Sequence, residues 1–296
     1  MSDAVRCGYV ALVGRPNVGK STLLNHLLGR KLSITSRKPQ TTRHNLLGVM
    51  TDQRDQVIFV DTPGIHPTKQ RAMNRYMVRS ATSVLSDVDI VVMIVERARW
   101  TSEDDLVLSH VARARAPKIC AINKIDQLKG RTELLPQMEK LGARNVFDEI
   151  IPISALRNDG LDRVWQEVVR RLPEGPHLFP ADQVTDKSER FMVSEIIREK
   201  LMRRLGDELP HRIIVVIENF RSSDRLVEID ANIFVERDGQ KVIIIGRKGA
   251  RLKSIGQEAR HEIEALVDTK VMLRLWVKVK SGWTNDERSL RRLGFQ

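Results

Sequence analysis

Gly14-Arg15-Pro16-Asn17-Val18-Gly19-Lys20-Ser21 has the residue types and spacing that hold a run of phosphates. Gly14 and Gly19 permit a tight turn that points successive amides at bridging oxygens. A helix opening at Lys20 aims its positive end at the same anions. Lys20 reaches the outer phosphates as a point charge. The Ser21 hydroxyl, next to Thr22, is placed to ligate a magnesium ion. This chemistry needs a strand before the loop and a helix after it, and the apolar run Tyr9–Val13 and the stretch Thr22–Leu28 read that way.

Four further stretches have complementary chemistry. Asp61-Thr62-Pro63-Gly64 ends the apolar run 57–60; Asp61 can hold magnesium through a water, and the Gly64 amide can sense a terminal phosphate. Pro39-Gln40-Thr41-Thr42-Arg43 lies in a polar loop where a threonine can close over the metal, with Thr42 the first choice and Thr41 the reserve. In Asn123-Lys124-Ile125-Asp126 the Asp126 carboxylate only accepts hydrogen bonds, which suits the N1–H and amine of guanine and rejects adenine. Asn123 and the Lys124 stem brace and cover that base, and Ser154-Ala155-Leu156 backs it. The reaction these imply is in-line attack of water on the terminal phosphate of GTP, giving GDP and phosphate. Lys20, Thr42 and Gly64 surround the transferred group. The position after Gly64, where many small GTPases carry a water-orienting glutamine, is Ile65, so intrinsic turnover is expected to be slow. His66 is read as a bystander rather than a base.

The elements that must position these residues alternate. Apolar runs at 8–13, 45–50, 57–61, 90–95, 118–123 and 149–153 read as strands, with helical stretches near 72–85, 103–114, 131–141 and 161–172. The alternation predicts an α/β domain, a mostly parallel sheet with helices on both faces, whose ligands sit at the carboxyl ends of the strands. A segment from Pro173 to Val184 with three prolines and a glycine reads as a linker. Beyond it come a helix over 189–205, strands over 213–218 and 226–236, a long helix to about Val267 and an alternating strand over 271–280. The run 240–245 is rich in β-branched residues and has strand propensity.

Hydrophobic content of 41% with 30% charged residues excludes a disordered chain, and the longest apolar run, 90–95, is too short to cross a bilayer. The first residues lack the layout of a signal peptide, so a cytoplasmic location is expected, with Cys7 and Cys120 reduced. The net charge of +12 is concentrated late: residues 241–260 hold six Lys or Arg against Glu258 alone. Such a surface attracts polyanions, nucleic acid first and acidic lipid second. Within it, Gly246-Arg247-Lys248-Gly249, followed by Arg251 and Lys253, is a basic glycine turn past which a nucleic-acid backbone can run, with Ile243, Ile245 and Ile255 as groove candidates.

Gly14–Ser21, Lys38–Arg43, Asp61–Ile65, Asn123–Asp126 and Ser154–Leu156, together with Gly206–His211, Ile245–Gly249 and Trp276–Trp283, resemble the Era family of bacterial GTPases over essentially the whole chain. The resemblance implies a Ras-like P-loop G domain at 1–172, a linker at 173–186, an α+β type II KH domain at 187–283 and a basic tail helix at 284–296. A KH fold would make 240–245 a short helix. It also implies binding to small-subunit ribosomal RNA near its 3′ end, a role in assembly of the small ribosomal subunit, and some peripheral membrane association. Asn17 matches an asparagine linked in related GTPases to potassium-assisted hydrolysis, so the expected cofactors are GTP or GDP, Mg2+ and K+. The rival reading is a GTP-dependent membrane-surface regulator whose basic half docks anionic lipid, for which an amphipathic helix with exposed aromatics would be wanted.

Overall fold

A computed structural model of the chain describes residues 5–36, 38, 41–67, 72–97, 100–206, 213–283 and 285–286. The chain folds as two compact units, the first running in the main to Asp186 and the second from Lys187.

The first unit is built on six strands: β1 (Arg6–Val13), β2 (Leu46–Asp52), β3 (Asp55–Asp61), β4 (Ile90–Glu96), β5 (Lys118–Asn123) and β6 (Glu149–Pro152), in the order β2-β3-β1-β4-β5-β6. All neighbours run parallel except β2 and β3, an antiparallel hairpin on the edge. Helices α1 (Lys20–Leu27), α2 (Ala72–Ser83), α3 (Ser102–Val111), α4 (Leu135–Gly142) and α5 (Leu161–Arg171) complete it. Parallel strands covered on both faces read as unbroken apolar runs, and residues 90–95 of β4 are buried without exception. The helix expected from Arg131 opens instead with a 3-10 turn over Arg131–Leu134, and Pro136 then sits in the first turn of α4, where its missing N–H costs nothing. Strand order reverses between β3-β1 and β4, so the loop after β1 lies at the switch point where such sheets bind ligands.

The proline-bearing segment after α5 is strapped to this sheet. Glu174 bridges Arg6, the Cys7 amide donates to Pro173 O, and the Val49 amide donates to Val184 O at 2.8 Å. The fully buried Gln56 on β3 accepts the amides of Leu178 and Phe179 at 2.8 and 2.9 Å and donates to Phe179 O. A buried glutamine that meets backbone groups in this way leaves no amide of the strap to be solvated there.

The second unit contains α6 (Glu189–Arg204), β7 (Ile214–Ser222), β8 (Val227–Val235), α7 (Asp238–Ile245), α8 (Ala250–Val267) and β9 (Val271–Val279). β8 is central, antiparallel to β7 and parallel to β9. Ile255, Ala259 and Ile263, spaced by four, form the stripe of α8 that packs with Val193, Ile197 and Leu201 of α6 over the alternate residues Ile229, Ala231 and Ile233 of β8. β7 extends past the expected 218 to Ser222 through a bulge at 217/219, its last residues paired with the start of β8; exposed Asn219, Arg221 and Ser222 around a half-buried Phe220 hide this extension from an apolar pattern. Residues 240–245 are helical despite their strand propensity. Gln240 Oε1 accepts the Glu236 and Arg237 amides at the start of α7, and Ile244 is buried. Of the stretch Gly206–His211 only Gly206 is described, and of the expected tail helix over 284–296 only Asn285 and Asp286; the rest lie outside the described residues.

Candidate nucleotide site and nucleic-acid groove

The loop from Gly14 to Gly19 is shaped by close approaches that exclude side chains. A Cβ on Gly14 would meet Ile94 O at 2.5 Å; one on Gly19, whose φ is +106°, would meet the Asn123 amide nitrogen at 2.2 Å. Asn17 has a left-handed φ of 65°. Gly64 packs on Pro16, where a Cβ would stand 2.7 Å from the Pro16 nitrogen. Lys20 is buried and its Nζ donates to Gly14 O and Arg15 O, both at 3.1 Å, wrapping the loop around the ammonium. Burial pushes Lys20 down to about 8, with Asp61 pulling the other way.

Beside it Ser21, Thr42 and Asp61 converge. Ser21 Oγ donates to Asp61 Oδ2 at 2.8 Å and lies 2.9 Å from Thr42 Oγ1, which is 3.3 Å from the same carboxylate oxygen. Thr42, the first choice of the two threonines, is thus within reach of both Ser21 and Asp61. Burial pushes the Asp61 carboxyl up, opposed by Lys20 and by hydrogen bonds from Ser33, Ser21 and Thr42. Asp61 Oδ1 is buried with no hydrogen-bond partner. Two hydroxyls and an orphaned carboxylate oxygen form an all-oxygen donor set, which fits a hard cation of the magnesium type that completes its shell with water and phosphate. Thr62 turns its hydroxyl to Leu12 O at 2.8 Å, and Pro63 is buried. Ile65 is fully buried in the core and its amide donates to Gly14 O at 3.2 Å. The side chain at the position after Gly64 is thus turned into the core, where it could not reach water without repacking. His66 Nδ1 lies 3.0 Å from Gly64 O, a local turn contact.

The base end is held by Asn123. Its Nδ2 donates to Val18 O at 2.7 Å, while its Oδ1 accepts the Lys124 and Ala155 amides at 2.7 and 2.9 Å. One buried side chain so joins three of the motifs. Lys124 takes a left-handed φ of 67°, and Ile125 N–H donates to Ile153 O. Ser154 Oγ donates to Asp126 Oδ1 at 2.5 Å, fixing the orientation of that carboxylate. Ala155 is buried, whereas Leu156 is 69% exposed.

Residues that the motifs did not reveal brace these loops. Arg15 pairs with Glu96 at 2.7 Å and with the buried Asp104 at 3.2 Å, and Lys124 Nζ lies 3.4 Å from Glu96. Burial works against the charge on Glu96, but Arg15 and Lys124 outweigh it and hold the carboxyl below its usual range. Asp104 also caps α3, accepting from Thr101 N–H at 2.9 Å. The available signal was Glu96 itself, a carboxylate closing an otherwise apolar strand.

In the second unit the glycine turn adopts backbone that explains its residues. Gly246, Lys248 and Gly249 have φ of 72°, 49° and 78°. A Cβ on Gly246 would strike Arg251 Cβ at 2.7 Å, whereas Gly249 faces open space. Arg251 braces the turn, its Nη1 donating to Ile243 O at 2.6 Å. An open groove of about 460 Å³ runs from Gly249 between α8 and β9, with Leu252, Gly256, Leu273 and Leu275 as its apolar part and Lys253 and Arg260 as its charged rim. This corrects the expected groove residues. Ile255 is fully buried in the core, and neither Ile243 nor Ile245 lines the groove; on α8 the helical period turns 252, 253, 256 and 260 to a strip beside the buried 255, 259 and 263.

A phosphate loop on a mostly parallel sheet, tied through Asn123 to the loops at 123–126 and 154–156 and followed by a basic GxxG turn between two helices, defines a P-loop GTPase with a C-terminal KH domain. The family model described as 50S ribosome-binding GTPase matches residues 9–124, and that of the KH domain matches residues 208–284. The chain belongs to the GTPase Era family. GTPase Era of Ectopseudomonas mendocina is 57% identical over 100% of this chain and 99% of its own length, and that of Azotobacter vinelandii 55% identical over 99% and 98%. Two solved Era structures superpose with TM-scores of 0.95 over 98% of this chain and 99% of theirs. One is an Aquifex aeolicus Era variant bound to GDP·AlF4−, at 39% identity; the other is Era with MgGDPNP and nucleotides 1506–1542 of 16S ribosomal RNA, at 40%.

Proposed function

We propose that this GTPase binds GTP and GDP with Mg2+ through the loops joined at Asn123, and uses nucleotide state to govern binding of single-stranded RNA in the α8–β9 groove. The RNA is the 3′ end of small-subunit ribosomal RNA, and the setting is small-subunit assembly. Lys20 and the amides of 14–19 bear the charge of the transferred phosphoryl group, Ser21 and Thr42 ligate the cation, and Asp61 holds it through water. The Gly64 amide meets the terminal phosphate. Thr62, Pro63 and Ile65 serve by packing, Thr22 and Pro16 by holding loop and helix start, and Asn17 is the place for K+. Arg247, Lys248 and Lys253 contact the RNA backbone, with Gly246 and Gly249 giving it room and Arg251 bracing the turn.

The observation that carries the RNA reading is the groove: an apolar floor at Gly256 beside a basic turn, the shape that takes stacked bases on one side and phosphates on the other. The relative solved with RNA matches this chain across that region as well as the G domain. Reversing charge in an Arg247→Glu, Lys248→Glu double variant should weaken binding of a 3′-end rRNA oligonucleotide at least about tenfold and flatten its salt slope by roughly one for each phosphate no longer neutralised. GTP binding should be unchanged. RNA affinity equal to the parent's, with lost binding to anionic vesicles, would instead establish the membrane-surface reading. Among the described residues no helix is long and apolar enough to cross a membrane.

A further inference from the structure

Three hydroxyls converge on one oxygen of the buried Asp61: Ser33 Oγ at 2.7 Å, Ser21 Oγ at 2.8 Å and Thr42 Oγ1 at 3.3 Å. They are not equivalent. Ser21 and Thr42 are the hydroxyls assigned to the cation, so their place depends on its presence. Ser33 is buried, and its position is set from elsewhere. Asn25 Oδ1 accepts the amides of Leu32 and Ser33 at 2.9 and 2.8 Å, and Asn25 Nδ2 donates to Ser33 O at 2.7 Å. Three bonds from one side chain fix the backbone at Ser33. Asn25 in turn stands on α1 one turn beyond Ser21, on the same face of the helix.

We propose that Ser33, clamped by Asn25, is a positioning residue for the cation site. It occupies Asp61 Oδ2 with a donor that no ligand need supply, and so fixes the plane of the carboxylate with Oδ1, the partnerless oxygen, left for the cation's water shell. A buried carboxylate without such a donor would be costly to keep ionised and free to rotate. The clamp also ties Ser33, in the connection from α1 to β2 that carries Thr42, to the helix that carries Ser21. Sequence reading passed over both residues because neither belongs to a phosphate-binding motif.

This inference rests on the proposed magnesium site, and one experiment separates the two. Release of fluorescent GDP from the full chain is followed across a buffered Mg2+ series and in EDTA. If Mg2+ does not slow release from the parent protein, the cation reading itself fails. If it does, Ser33→Ala should raise the Mg2+ concentration needed for half of the slowing by about ten- to a hundredfold, the weight of one hydrogen bond to a charged group. Its release rate in EDTA should equal the parent's. Ser33→Thr, which keeps the hydroxyl, should retain the parent midpoint, and Asn25→Ala should shift it in the same direction by less. An unmoved midpoint in Ser33→Ala, or release accelerated as much in EDTA as in Mg2+, would overturn the proposal by showing that Ser33 only packs. Should Ser33→Ala not fold, the Asn25→Ala midpoint decides alone: a shift confined to Mg2+ supports the clamp, and none sinks it.

Discussion

The two candidate sites of this chain are built by opposite means. In the nucleotide site the specifying groups are buried and already engaged. Asn123 makes three hydrogen bonds, one within its own loop and one to each of two other loops, Lys20 is enclosed by loop carbonyls, and glycines at 14, 19 and 64 stand where any side chain would clash. In the groove proposed to take RNA the surface is open, its charges are Lys253 and Arg260, and Gly256 adds no side chain to its lining. The nearest atom to a Cβ there, Leu275 Cδ1, would be 3.4 Å away, an ordinary contact. A preorganised polar site discriminates chemistry, since every mismatch strands a buried group. An open apolar floor with a charged rim discriminates shape and charge, and tolerates change.

That contrast can be tested from its strongest side downward. Asp126→Asn should reverse the donor–acceptor match to the base and cut GTP preference by roughly 10⁴-fold relative to xanthosine triphosphate, measured by nucleotide competition. Retained GTP preference would mean that the Ser154-aligned carboxylate does not read the base. Gly19→Ala should reduce nucleotide affinity by about ten- to a hundredfold, because strained backbone and the displaced Asn123 amide each cost on the order of 1–3 kcal/mol. Normal affinity would show the loop to be more pliable than its close approaches indicate. Turnover should be faster in potassium than in sodium buffer if Asn17 holds a cation at the phosphates, and equal rates reject that role. Gly256→Ala is the smallest and sharpest comparison. It should stabilise α8 by up to about 1 kcal/mol, seen as a raised melting temperature, while lowering RNA affinity a few-fold. If stability and RNA affinity rise together, Gly256 is not the floor of the RNA site.

Legibility followed the same divide. The phosphate loop, Asp61–Gly64, Asn123–Asp126 and Ser154–Leu156 could be read from spacing because each is a short local string at a strand end, where backbone conformation and chemistry are set by neighbours in sequence. What ties them was not readable. Glu96 joins Arg15 to Lys124 across β4, Asp104 serves at once as helix cap and counter-ion, and Gln56 straps residues 178 and 179 to the sheet; each contact spans about eighty residues or more, or depends on two elements packing. In the second unit the turn was legible but the groove was not, since choosing Leu252 and Gly256 over Ile255 requires knowing which face of α8 the sheet covers.

Residue order alone therefore decided the reaction class, the base and the sign of the second ligand's charge. Those depend on which groups are present and on local spacing: glycines that admit backbone near phosphate, a carboxylate that can only accept, and a cluster of cations without acids. Tertiary structure decided which hydroxyls share Asp61, that Ile65 points inward, and which helical face is left open. Each of these is a choice between orientations that cost the same until another element is packed against them, and burial is what makes one of them cheaper than the rest.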